Sequence, residues 1–133
     1  MQKMKETWGT VLTLIEANVK RKIIRYSNQL GVGIDRKFRF SKESTNGHVL
    51  IGLLFFDAEN SKDSLDGDEL ESASQAEINL NYHVELLDGI VYSKDNEQLI
   101  WQYIYPQVKV DVALYCISIG LPNFTMPNDF SGR

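Results

Sequence analysis

The chain has 133 residues, of which 43% are hydrophobic, and its formal net charge at pH 7 is -4. This length suits a single domain, residues 1–133, with enough apolar material for a core that needs neither disulfides nor a metal. The longest apolar run, Val49 to Phe56, is far too short to span a bilayer. The lone Cys116 excludes an internal disulfide and favours a reducing cytoplasm, with Cys116 as buried filler.

The charge is unevenly distributed along the chain. Residues 1–48 carry 10 Lys and Arg against 4 Asp and Glu, whereas residues 49–133 carry 4 against 14. This asymmetry indicates a charged contact surface without identifying the partner. The basic run KRKIIR, Lys20 to Arg25, favours a solvated strand face over a nucleic-acid site, because it is short and interrupted by apolar residues.

The first strand candidate is IEANVKRKIIRYS, which is long and irregular. For Met1 to Ala17 the pattern leaves helix and strand both open. A helical stripe is formed there by Met4, Trp8, Val11, Leu12 and Ile15, and Gly9 counts against it.

Two further strands are predicted to form a hairpin. In VGIDRKFRF the apolar residues alternate, and Arg36 is the exception. HVLIGLLFF is almost continuously apolar, which is typical of a central strand covered on both faces. Asn46-Gly47 lies between these runs and predicts the hairpin turn.

The fourth strand has the strictest pattern and follows an acidic segment. Seven acidic residues lie between Asp57 and Glu71, opposed only by Lys62. With Gly67 at the sixth position of an EF-hand loop, Lys62 and Ala73 would occupy the two end positions, where carboxylates are required. We therefore expect a solvated hairpin loop without a metal. QAEINLNYHVELL then alternates strictly and predicts a half-buried strand.

The last third of the chain favours helix. Asp95 with Gln98 resembles a capping box, and a proline suits a first helical turn, so we predict a short helix or turn over Asn96 to Tyr103 and a longer helix from Pro106 to Ile119. Gly120 is predicted to end that helix. On periodicity alone, VKVDV could equally be a strand.

Motifs of catalysis are absent from the sequence. It contains no glycine-rich phosphate loop, no metal-binding spacing of Cys and His, and no nucleophile elbow. The two histidines, His48 and His83, stand apart and are more typical of surface residues than of ligands. The sequence therefore offers no argument for an enzyme, a cofactor or a metal site.

From Trp101 to Phe130 the chain resembles the C-terminal half of the SecB family of export chaperones. Tyr105-Pro106 is similar to the aromatic-Pro start of the family's long helix, and Gly120-Leu121-Pro122 is similar to its end. The residues from Phe124 to Phe130 resemble its apolar tail, with tighter spacing, and INLNYHVEL stands where the family has its last strand. The resemblance implies an α+β fold, with a four-stranded antiparallel sheet and a long C-terminal helix packed on one face. It also implies assembly into a dimer or tetramer.

The resemblance further implies an ATP-independent chaperone, a holdase, that binds unfolded polypeptide in apolar grooves between helix, tail and sheet. Aromatic and methionine side chains supply large, adaptable contacts, although each one taken alone is more typical of a core residue than of a client contact. The expected groove residues are Trp101, Tyr103, Tyr105, Leu121, Phe124 and Met126.

The chain also departs from the export members of the family. Those members contact the translocation motor through acidic residues on the sheet and through a C-terminal tail. Here the first long strand carries the basic run Lys20 to Arg25, and the chain ends three residues after Phe130. These departures favour a dedicated client, such as an antitoxin, over general preprotein export.

Two other hypotheses remain open. One is a ligand-binding or structural module with the SecB fold and no chaperone activity, which an enclosed pocket would favour. The other is a nucleic-acid-binding protein that uses its basic strand, which predicts strongly salt-dependent association.

Overall fold

The computed structural model describes residues 9–59 and 74–128. One antiparallel sheet, in the order β1-β4-β3-β2, is followed by a short 3-10 helix and one α-helix. The elements are β1 Thr10–Arg21, β2 Leu30–Phe40, β3 Asn46–Asp57, β4 Ala76–Leu86, the 3-10 helix Lys94–Asn96 and α1 Glu97–Ser118. The predicted fold class is confirmed. No helix within the described ranges is long and apolar enough to cross a membrane.

The core lies between one face of the sheet and α1. Alternate residues of the two central strands, from Val49 to Phe55 and from Ala76 to Leu86, are at most 4% exposed. On α1 the buried residues recur at helical spacing: Ile100, Trp101, Ile104, Tyr105, Val108, Val112 and Cys116. The prediction that β3 is covered on both faces is wrong for the single chain, because Leu50, Leu54 and Phe56 face away from α1 and are only half-buried.

A buried polar contact crosses from the sheet to the helix. The buried Tyr82 hydroxyl donates to Asp111 Oδ2 at 2.7 Å, and Gln107 Nε2 donates to Asp111 Oδ1 at 3.0 Å. Burial, together with the bond to Asp111, raises the pKa of Tyr82. The contact satisfies a hydroxyl that would otherwise be costly to bury, and it holds α1 in one position on the sheet.

Residues 10–17, for which the sequence left helix and strand both open, form the first part of β1. From Thr10 onward it pairs with β4, and the register shifts between Leu14 and Glu16. Leu12 and Leu14 face α1 before this irregularity, whereas Ala17 and Val19 do so after it. Of the residues in the predicted helical stripe, Leu12 faces α1, whereas Val11 and Ile15 are 41% and 51% exposed. Met4 and Trp8 lie outside the described residues, as does most of the acidic segment before β4.

The prediction that Asn46-Gly47 forms the hairpin turn is wrong. Both residues belong to β3, and the loop consists of residues 41–45, where Glu43 adopts a φ of 58°. Gly47 pairs with Phe40, and a Cβ at Gly47 would lie 2.5 Å from the Phe40 ring. Glycine is needed there to make room for an aromatic ring, not to turn the chain.

The predicted division of the helix before Pro106 is also wrong. α1 is continuous through Pro106, and VKVDV is helical. Pro106 has no N–H for the carbonyl of Gln102, but both side chains are exposed, so the lost hydrogen bond lies where water can replace it. A capping box does form, but between Ser93 and Asn96, two residues earlier than predicted, and it caps the 3-10 helix rather than α1.

Gly120 ends the helix, as predicted. It has a φ of 83°, and the N–H groups of Gly120 and Leu121 bond to carbonyls of the last helical turn at 3.1 and 2.8 Å. The Ile119 carbonyl accepts from the Tyr26 hydroxyl at 2.7 Å and from Arg21 Nη1 at 3.4 Å. Part of the basic run therefore connects β1 to the C-terminus of α1, where a cation is favourable.

Burial raises the pKa of the Cys116 thiol to about 11, from an ordinary value of 9.0. The neutral thiol is favoured in the fold, so its contribution to stability is complete below pH 9 and is lost as the pH rises toward 11. We expect the difference in the free energy of unfolding between the wild type and Cys116→Ala, measured by urea unfolding, to shrink between pH 9 and 11.

Iodoacetamide should also label the thiol of Cys116 in the native protein at pH 8 far more slowly than in the unfolded protein. Equal labelling rates would contradict the burial of Cys116.

Candidate functional site

Five aromatic side chains meet beside β2, and we call them the aromatic cluster: Phe38, Phe40, Tyr92, Trp101 and Tyr105. Ring centroids lie 4.7 Å apart for Phe40 and Tyr92, 6.4 Å for Phe38 and Trp101, and 5.0 Å for Trp101 and Tyr105. Such contacts stabilise beyond the area they bury. The cluster therefore gives the seam between β2 and α1 a firm aromatic wall.

Tyr92 also positions a carboxylate at the start of α1. Its hydroxyl donates to Glu97 Oε2 at 2.6 Å, and Glu97 Oε1 lies 4.0 Å from Lys94 Nζ. Burial, followed by this hydrogen bond, raises the pKa of Tyr92 to about 12. Glu97 is therefore engaged within the fold, at a helix end where a negative charge is favourable.

The tail, residues 120–128, folds back along α1. The Tyr105 hydroxyl donates to the Pro127 carbonyl, and Lys109 Nζ donates to Asn128 Oδ1 at 2.9 Å. Earlier in the tail, the Phe124 ring packs edge-on against Phe55 at 5.2 Å. The tail is thus attached to the helix at one end and to the sheet at the other.

Three open clefts lie along this seam. The tail groove, about 250 Å³, has a mostly apolar lining: Leu30, Gly31, Val32, Phe55, Gly120, Leu121, Pro122, Asn123 and Phe124. The helix–tail cleft, about 470 Å³, is lined by Gln98, Trp101, Gln102, Tyr105, Pro106, Lys109, Val110 and Asn128. The β2-edge cleft, about 630 Å³, is lined by Arg36, Lys37, Phe38, Arg39, Tyr92, Lys94 and Glu97.

β2 is the last strand of the sheet, so its outer edge has no neighbouring strand within the described residues. The tail groove lies at the beginning of β2 and the β2-edge cleft at its end. An exposed edge of this kind offers backbone N–H and C=O groups to an extended chain. The seam can therefore bind extended polypeptide through both its side chains and its backbone.

The structure brings most of the predicted groove residues to this seam. Leu121 and Phe124 line the tail groove, half-buried. Trp101 and Tyr105 line the helix–tail cleft but are 1% and 6% exposed, so most of each ring belongs to the core.

The remaining two predicted groove residues lie elsewhere. Met126 is 3% exposed and packs in the core. Tyr103 is 39% exposed and lies on the opposite side of α1 from the buried residues.

Several residues of the seam were not singled out by sequence. Phe38 and Phe40 had been assigned only to a strand, and Tyr92 carried no signal because it lies in a connecting segment. The sequence did give a signal for Arg36, since this residue interrupts the apolar alternation of β2. A charged residue in an apolar row indicates a special role for that position.

The face of the sheet away from α1 brings the two histidines together. His48 and His83 are paired across β3 and β4 with ring centroids 5.6 Å apart, so they do not stand apart in the fold. His48 Nδ1 lies 3.2 Å from Asn81 Oδ1. In the described ranges no group of three potential metal ligands forms, and we assign no metal site to this pair.

Comparison with solved structures shows a similar fold in a known chaperone. The fold is similar to that of a Mycobacterium tuberculosis SecB-like chaperone in complex with a ChAD peptide from the HigA1 antitoxin. The TM-score is 0.53, and the match covers 95% of this chain and 96% of that chain at 11% sequence identity. No protein-family model matches the sequence, and no curated protein matches it. The four-stranded antiparallel sheet and the single long helix are thus arranged in a SecB-like fold.

Proposed function

We propose that this protein is an ATP-independent holdase that binds unfolded or aggregation-prone polypeptide. The observation that carries the proposal is the open apolar tail groove, beside a free strand edge, in a chain with the SecB-like fold. The similar chaperone from Mycobacterium tuberculosis is in complex with an antitoxin peptide, so we further propose a dedicated client of that kind. The proposal requires no nucleotide, metal or catalysis.

An extended client would place apolar side chains against Leu121 and Phe124, over a floor that includes Val32 and Phe55. Burying one large apolar side chain contributes roughly 1.5–3 kcal/mol, so several contacts are needed for firm holding. Pairing with the edge of β2 would add affinity that does not depend on sequence. The combination suits a client recognised mainly by its exposed apolar residues.

The open shape of all three clefts, two of which are large enough for a small molecule, argues against a module that encloses a small ligand. Pockets for small molecules have volumes of about 300–1,000 Å³ and bury most of the ligand. The tail groove has about 250 Å³ and is open to solvent. It suits one or two side chains of a longer chain better than an enveloped ligand.

General preprotein export is the less supported alternative. The sheet face away from α1 carries Lys20 on β1 and Lys37 and Arg39 on β2, together with Glu16 and Asp35. A surface of mixed charge does not provide the acidic face that the export members present to their motor. A client protein specific to this chain accounts better for the difference.

We also propose that α1 packs against α1 of a second copy. Five exposed apolar residues form what we call the apolar stripe: Leu99, Tyr103, Val110, Leu114 and Ile117, each 37–59% exposed. At about 100° per residue they fall within a sector roughly 60° wide, opposite the buried face. A twofold contact would cover the same stripe in both copies. In this proposal Tyr103 serves the assembly rather than the groove.

The holdase proposal is tested by light scattering. A chemically unfolded test protein is diluted into buffer with stoichiometric amounts of this protein and no nucleotide. We expect suppressed aggregation, and we expect Phe124→Ser to require up to roughly tenfold more protein, because it removes an apolar wall of the tail groove. Thr125→Ser, at the exposed neighbouring position, is the matched control.

Circular dichroism separates loss of holding from loss of fold. Global unfolding of Phe124→Ser would show that Phe124 acts as a core residue, and Leu121→Ser then tests the same groove. No suppression by the wild type would contradict a broad holdase. The dedicated client is then tested by co-expressing this protein with any antitoxin whose gene lies next to its own gene. The solubility of that antitoxin is the measurement.

The assembly proposal is tested by size-exclusion chromatography with light scattering. We expect the wild type to exceed the monomer mass of 15.2 kDa, and Leu114→Glu to be monomeric with unchanged helix content. A charge in the middle of the apolar stripe would have to be desolvated in the contact. Gln102→Glu adds the same charge at an exposed α1 position outside the stripe and should leave the mass unchanged. A monomeric wild type would contradict the proposal.

A further inference from the structure

Arg36 is the one charged side chain on the row of β2 that faces α1. The row consists of Leu30, Val32, Ile34, Arg36, Phe38 and Phe40. Its guanidinium carbon lies 4.9 Å from the Trp101 ring centroid and 5.1 Å from the Phe38 ring centroid. The cation is therefore held against the aromatic cluster, half-buried beside the free edge of the sheet.

The hydrogen-bonding capacity of this guanidinium is largely unused. Arg36 Nη1 is buried without a hydrogen-bond partner, and Nη2 reaches only Gln98 Oε1, at 3.4 Å. Glu97 forms no ion pair with Arg36 in the part of the chain that the structure describes; its carboxylate contacts Tyr92 and Lys94, and its charge opposes the lowering of the Arg36 pKa by burial. Burial lowers the pKa of Arg36, but an arginine in a protein still carries its charge. A buried N–H donor without an acceptor, as at Nη1, destabilises the fold, and an incoming acceptor would relieve that cost.

The surroundings favour a negatively charged acceptor. Arg36 lines the β2-edge cleft together with Lys37, Arg39 and Lys94, and Glu97 is the only acidic residue in that lining. The cleft includes four consecutive residues of β2, so it follows the free edge of the strand. A carboxylate that arrives there can displace Gln98, which is exposed and held by one long contact. It can then accept two hydrogen bonds from the guanidinium fork.

We propose that Arg36 binds a carboxylate of a client segment that pairs with the edge of β2. This inference rests on the proposed function and specifies its client. Side chains alternate along an added strand, so the two neighbours on the same face lie two residues before and after the acidic one. They meet the apolar row of β2 beside Ile34 and Phe38. The preferred client segment thus has an Asp or Glu flanked at both second neighbours by apolar residues.

The test uses labelled peptides and fluorescence anisotropy. One peptide carries the alternating pattern with a central Asp, and its partner has Asn at that position. We expect the Asp peptide to bind wild type roughly tenfold more tightly, since a charge-assisted hydrogen bond is about twice as strong as a neutral one. A third peptide has Ser at the centre and the Asp at the adjacent position. The carboxylate then lies on the other face of the strand, and the tighter binding should be lost.

The protein side of the test uses Arg36→Gln and the matched control Arg25→Gln. Arg25 is exposed and does not line the β2-edge cleft. We expect Arg36→Gln to bind both peptides equally, and Arg25→Gln to keep the preference. If Arg36→Gln fails to fold, Arg36→Lys retains the charge without the planar fork and should lose most of the preference.

The outcomes separate this inference from the proposed function. Equal binding of the Asp and Asn peptides to wild type would overturn the role of Arg36 and leave the holdase proposal standing. A preference that persists in Arg36→Gln would do the same. Binding of neither peptide, with no suppression of aggregation, would overturn both.

Discussion

The domain depends on burying one face of α1 against the alternating apolar face of β3 and β4. Both central strands and seven helical positions contribute to that layer, and the bond from Tyr82 to Asp111 orients the helix across it. A sheet and one helix form only two layers, so each keeps an outer face in the single chain. The exposed apolar stripe of α1 and the half-buried leucines of β3 follow from this shortage of covering layers.

The candidate site forms where the two layers meet at the edge of the sheet. β2 has a neighbour on one side only, and the tail closes the seam at the C-terminal end of α1 without covering the strand edge. Attachment of the tail through Tyr105 and Lys109 keeps the aromatic wall beside an open groove. A surface of this kind leaves apolar area unburied, which is a cost in stability that is characteristic of binding surfaces.

In the role that we propose, Arg36 also gives up stability for recognition, here at a single position. An aliphatic residue there would continue the apolar row of β2 and would leave no buried donor without a partner. Local rules broken in this way concentrate at functional sites, because stability is given up where recognition requires it. Two other basic residues near the edge of the sheet, in contrast, have acceptors within the fold. Lys22 pairs with Glu77 at 2.6 Å, and Arg21 bonds to the end of α1, so both serve the fold.

Sequence alone was sufficient for the strands β2, β3 and β4 and for the end of α1, because period-two alternation, a short apolar run and a glycine after a helical pattern are local signals. It misplaced features that depend on partners distant in sequence. Gly47 resembled a turn residue, yet it makes room for Phe40 across the hairpin. Pro106 resembled a helix start, yet packing on both sides of it carries α1 through.

For the candidate site too, the sequence predicted one part and only the structure shows the other. The aromatic and apolar residues from Trp101 to Met126 were recognisable as a group, but the burial of each member was not. Only tertiary packing separates Leu121 and Phe124, which line a groove, from Met126 in the core and Tyr103 on the far side of α1. The reason is physical: a local pattern specifies which face of an element is apolar, whereas the neighbours that cover or expose that face are chosen by contacts between elements far apart in the chain.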